Sequence, residues 1–132
     1  NSLAYVLPYY LLDGNKLRDP RSYFECLKYV KTGKVLNATK GISQKNLLYL
    51  IDYSMDHHHY LFSLKFIFMY FEKYPRSNKL SNMGQTLNSI IENTIDQNKI
   101  KELLVALEDK SRSKKFKNIL NKHNLIEVEQ ES

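Results

Sequence analysis

The 132 residues are enough for one domain with a real core, and at 42% hydrophobic the chain is not a disordered one. Lys and Arg outnumber Asp and Glu by 20 to 14, a formal net charge of +6. That balance admits an acidic partner (nucleic acid, an anionic membrane surface or an acidic protein face) without choosing among them. The lone cysteine, Cys26, excludes an internal disulfide and favours a reducing, intracellular setting, whether cytoplasm or nucleus.

Four glycines and three prolines exclude a loop-rich scaffold. The abundance of Asn, Lys, Ile and Tyr is also what an AT-rich genome encodes, so part of the positive charge carries no functional message. The first residue is Asn1 rather than Met, as expected of a processed chain or a domain excised from a longer protein. The charged leader and small-residue cleavage site of a secretory signal are missing from the residues given.

In chain order, Leu3 to Leu12 is apolar and interrupted by Pro8, where a helix either begins or kinks. Its apolar residues, Leu3, Val6, Leu7, Tyr10 and Leu11, mark it as a docking or interface arm. Asp13-Gly14-Asn15 is a turn signal. Asp19-Pro20 is a helix start, a capping carboxylate followed by proline at the first helical position. Tyr23, Phe24, Leu27 and Val30 continue at helical spacing to Gly33, predicting a helix over 20–32. Residues Lys34 to Ile42 are the one stretch compatible with a small hairpin, although a two-stranded ribbon is marginal alone. Ser43 opens a further helix with Leu47, Leu48, Leu50, Ile51 and Met55 on its inner side.

The stretch from Asp56 to Pro75 organises the rest. Between Tyr60 and Phe71 only Ser63 and Lys65 are neither apolar nor aromatic. A helix apolar on nearly all sides belongs inside a domain. It is too short to span a bilayer and carries Lys65 at its centre, so it is not a transmembrane segment. Asp56 is the expected cap and Pro75 the expected stop, which places the helix near 57–74.

Leu80, Met83, Leu87, Ile90 and Ile91 predict an amphipathic helix from Asn78 or Ser81 to Thr94, with Gly84 marking a close crossing. Asp96 caps a helix with Ile100, Leu103, Leu104 and Leu107 in one stripe. Ser111 or Ser113 caps a last helix with Phe116, Ile119 and Leu120 facing inward. Residues 126–132 read as an acidic, frayed tail. The expected fold is all-α, a single compact domain over residues 1–125. It has six or seven helices, as a bundle or a short stack with the helix spacing of ARM or HEAT repeats.

Chemistry-bearing motifs are sparse. His57-His58-His59 suggests metal, but adjacent helical residues point about 100° apart and cannot converge on one ion. Cys26 sits mid-helix, where a structural thiol is commoner than a nucleophile. Asn37-Ala38-Thr39 is a glycosylation sequon that, without a secretory signal, reads as chance. There is no phosphate loop, nucleophile elbow or HExxH, and too few glycines for most cofactor loops, so neither an enzyme nor a cofactor is expected. The sharpest charge feature is a basic face of Lys110, Arg112, Lys114, Lys115, Lys117 and Lys122, without an acid among residues 110–122. A second basic region, residues 16–45, holds eight cations beside Asp19 and Glu25.

Two functional expectations follow. The first is a non-enzymatic protein–protein interaction or scaffolding domain of a larger intracellular assembly. The second is a nucleic-acid-binding helical domain using the basic C-terminal face through weak electrostatic contacts.

Overall fold

The computed structural model of the chain describes residues 12–13, 16–17, 20–27, 39 and 41–123. They form an all-helical fold, apart from one pair of two-residue strands. Strands β1 (Leu12–Asp13) and β2 (Lys16–Leu17) pair antiparallel, Leu12 opposite Leu17 and Asp13 opposite Lys16. They flank the turn signal at residues 13–15, whereas the hairpin expected within residues 34–42 lies largely outside the described residues. Among the described residues the α-helices with stated bounds are, in order, α1 (Pro20–Leu27), α2 (Gln44–Asp56), α3 (Tyr60–Lys73), α4 (Met83–Asn93), α5 (Gln97–Lys110) and α6 (Lys114–Lys122). A 3-10 helix, Asn78–Asn82, leads into α4. The N-terminal arm, residues 28–32 over which the first helix was expected to continue, and the acidic tail lie outside the described residues.

The chain divides into two compact units, Asn1–Met69 and Tyr70–Ser132, with the boundary inside α3. In the first unit the core is built on Phe24, Ile42, Leu47, Leu50, Ile51, Leu64, Phe66 and Ile67, all buried. The Phe24 ring is the hub. It lies 5.3 Å from Phe62 and 6.0 Å from Phe66, both edge-on, and 5.2 Å from Tyr53 and 5.4 Å from His59. Edge-on aromatic pairs add to the area they bury. In the second unit Leu80, Met83, Leu87, Ile90, Ile100, Leu104, Leu107, Phe116 and Leu120 are buried, and Phe71 packs on Phe116 at 5.2 Å. Ile91, Leu103 and Ile119, expected to face inward, are only half-buried.

Every residue of α3 from Ser63 to Phe71 is buried, which is what a helix without a polar face requires. Its two polar members are accommodated differently. The hydroxyls of Ser63 and of Ser54 in α2 lie 2.7 Å apart, one donating to the other, while the hydroxyl that accepts there donates backward to its own carbonyl, Ile51 O for Ser54 (2.9 Å) or His59 O for Ser63 (3.2 Å). Lys65 runs its stem through the core, with its ammonium 5.9 Å from the centre of the Phe62 ring.

One boundary differs from expectation. Asp56 does not cap α3; it is the last residue of α2. The α2 ladder continues through it because Leu47, Leu50, Ile51 and Ser54 keep one side buried to that point. His57 then closes the helix, and His58 takes a left-handed conformation with φ 59°. The His58 N–H donates to Met55 O (3.1 Å) and the His59 N–H to Ser54 O (2.8 Å). These two bonds make a Schellman motif, with a histidine where glycine is usual. Of the other predicted caps, Asp19 lies outside the described residues and three are present. Ser43 accepts from the Asn46 N–H, Asp96 from Lys99 and Ser113 from Phe116. Ser77, not Asn78 or Ser81, caps the 3-10 helix.

Gly84 marks a close approach, as its position suggested. A Cβ there would collide with the imidazole of His123, which closes the C-terminus of α6. The ring is also 3.5 Å from the Asn88 side-chain amide.

Candidate functional site

The basic face lies entirely in the second unit. Lys110 ends α5 and is exposed, as are Arg112 in the connector and Lys114 and Lys122 on α6. Since Phe116 and Leu120 face inward, helical geometry puts Lys114, Asn118, Asn121 and Lys122 on the opposite side. Lys115 is exposed as well, its ammonium donating to the Pro75 carbonyl at 2.7 Å, whereas Lys117 is half-buried rather than outward.

The connector that carries Arg112 is held from beneath. Glu72, on the last turn of α3, accepts from the Arg112 backbone N–H at 2.9 Å and from the Ser111 hydroxyl at 3.4 Å. Ser111 in turn accepts from the Ser113 N–H at 3.0 Å. Hydrogen bonds to an ionised carboxylate are among the stronger ones, so Arg112 projects from a pinned backbone. Nearby, at the end of α3, the Lys73 ammonium lies 5.4 Å from the Tyr74 ring centre. Burial lowers the Lys73 pKa from the ordinary lysine value. Burial, and then the neighbouring Tyr70, raise that of Tyr74.

The first unit holds a feature that residue-by-residue reading missed. Tyr49, Tyr53 and His57 recur every four residues along α2 and stack in a row. The centroids are 6.0 Å apart for the tyrosines and 4.1 Å for Tyr53 and His57, with planes 20° and 23° apart. Tyr49 and His57 are exposed and Tyr53 half-buried, its hydroxyl 3.4 Å from Glu25 Oε1. The i, i+4 spacing was the available signal, since such residues are neighbours on a helix surface.

The histidine run therefore supplies a helix terminus. His57 Nδ1 donates to Tyr53 O at 2.9 Å, and His58 Nδ1 lies 2.7 Å from the Tyr60 hydroxyl. Among the described residues no three His, Cys, Asp or Glu side chains come together as a metal-binding group. Among the same residues no helix is long and apolar enough to cross a membrane. The large apolar side chains exposed among the described residues of the second unit are Ile95, fully exposed before α5, and Val105 on the outer side of α5. The proposed interface residues Leu3, Val6, Leu7, Tyr10 and Leu11 lie outside the described residues.

The chain matches no known protein family, no curated protein and no solved structure.

Proposed function

We propose that the chain is a non-enzymatic helical module for protein–protein interaction or scaffolding within a larger intracellular assembly. In this reading residues 1–125 act as one domain, a bundle or short stack of helices. The observation that carries it is the stacked row of Tyr49, Tyr53 and His57 on α2. Neighbouring rings hold each other in place, so little side-chain freedom remains to be lost when a partner covers them. Tyrosine also offers apolar area with a hydroxyl at its rim, the combination enriched at protein interfaces. The test is to retrieve partners from the source cell with the tagged chain and with Tyr49→Glu, checking that both melt alike. A defined protein held at fixed stoichiometry by the first and lost by the second supports the reading. Equal retention by both, or retention by neither, refutes it.

A second reading, weak electrostatic binding of nucleic acid, is favoured by the exposed set Lys110, Arg112, Lys114 and Lys122. It requires affinity for random oligonucleotides that falls steeply with salt.

A further inference from the structure

The second unit gathers more positive charge than the run at 110–122 contains. Two hydrogen bonds join the end of α3 and the loop after it to the start of α6. Glu72 accepts from the Arg112 backbone N–H at 2.9 Å, and the Lys115 ammonium donates to the Pro75 carbonyl at 2.7 Å. Segments about forty positions apart therefore meet, and Arg76 and Lys79 join the neighbourhood of Arg112 and Lys114. All four of these residues are exposed. Residues 72–79 and 108–117 together hold eight cations and three acids. The whole chain carries a net charge of +6, so the rest of it is close to neutral. The three acids leave the junction positive. Glu72 is turned to the connector, to the Arg112 N–H and the Ser111 hydroxyl. Glu108 and Asp109 stand on the last turn of α5, and among the described residues neither forms an ion pair with any of the four cations.

The class of partner follows from what the junction lacks. Among the described residues no large apolar side chain is exposed within these two stretches, since Ile95 and Val105 lie outside them. The core of a protein interface is depleted in lysine and enriched in aromatic residues. Stable anchoring to a bilayer takes an acyl chain or an apolar insert besides basic residues. A phosphate backbone needs neither, because it is held by cations that displace its counterions. We propose that Arg76, Lys79, Arg112 and Lys114 form one site for the phosphodiester backbone of a nucleic acid. Such contacts fix position without reading bases, so binding is indifferent to sequence. The inference rests on the second reading above and deepens it. It moves the centre of the site from the outer side of α6, which includes Lys122, to the junction of that helix with the loop after α3.

The test uses the full chain and short mixed-sequence oligonucleotides, single-stranded and duplex, over a series of salt concentrations. Arg76→Gln with Lys79→Gln changes only exposed side chains, and melting checks that the fold is kept. It should weaken binding about tenfold at low salt and make the salt dependence shallower by about two phosphate contacts. Arg112→Gln with Lys114→Gln should do the same from the other side of the junction. Lys99→Gln with Lys101→Gln removes equal charge at least about 13 Å along α5 from Lys110, and should change affinity less than about twofold. Equal losses from all three pairs overturn the site, because they report net charge alone. If both junction pairs bind normally while Lys122→Gln weakens binding, the inference falls and the second reading stands. Absence of salt-sensitive binding to either oligonucleotide removes both. Tighter binding to anionic lipid vesicles or to polyglutamate than to the oligonucleotides also overturns the proposal, since it assigns the junction to a membrane or to an acidic protein.

Discussion

Two of the tight helix connections solve one problem in opposite ways. Between α2 and α3 the chain turns over residues 57–59, and between α5 and α6 over residues 111–113. The first turn is closed chiefly by backbone, through the paired bonds from His58 and His59 and a left-handed φ at His58, with the His57 ring adding a bond to the Tyr53 carbonyl. The second is closed by side chains. The hydroxyls of Ser111 and Ser113 and the remote Glu72 carboxylate satisfy the free N–H groups of the connector. A backbone-closed turn leaves its side chains available for the surface. A side-chain-closed turn depends on a residue about forty positions away in sequence.

That contrast can be broken at three places. The largest effect should come from the packing beneath the second turn. Phe71→Ala removes the ring that contacts Phe116 under α6 and should destabilise the protein by about 3–5 kcal/mol in denaturant unfolding. An unchanged midpoint would remove Phe71 from the core. Next is Glu72→Ala, which leaves the Arg112 N–H and the Ser111 hydroxyl without their acceptor. A loss of about 1.5–3 kcal/mol is expected for hydrogen bonds to a charged group, with faster hydrogen exchange at Arg112. If Arg112 exchange is unaltered, the connector is held by something other than the carboxylate. Smallest is His58→Gly, which should raise stability by about 0.5–1 kcal/mol, because a left-handed backbone is nearly free of steric cost only in glycine. A loss instead would show that the contact of His58 with Tyr60 outweighs the backbone relief.

The same two turns show how much was legible in the sequence. The apolar run from Tyr60 to Phe71 announced a buried helix, and Phe66, Ile67 and Phe71 are fully buried. Ser43, Asp96 and Ser113 announced their helix starts, because a capping side chain sits beside the N–H groups it satisfies. The histidine turn was not legible, because a left-handed residue that is neither Gly nor Asn leaves no compositional mark. Asp56, next to an apolar run, imitates a cap. The Glu72 clamp was hidden for another reason, since its partners at 111 and 112 meet it only after folding. Of the basic face, the charges could be read directly. The diversion of Lys115 to a carbonyl and the partial burial of Lys117 depended on how α6 is rotated, and half-buried Ile119 shows the apolar stripe to be narrower than the pattern implied. The aromatic row on α2 was legible in its spacing, yet stacking is a choice of side-chain rotamers that spacing alone does not fix.

The imidazole of His123 lies where a side chain at position 84 would have to be. The dependence runs one way. A side chain at 84 requires the ring at 123 to turn aside or be replaced by something smaller, whereas a smaller residue at 123 leaves Gly84 undisturbed. In a lineage of such chains, change at 123 would open the way for change at 84, so a scan of position 84 against the intact histidine would understate what that position can hold.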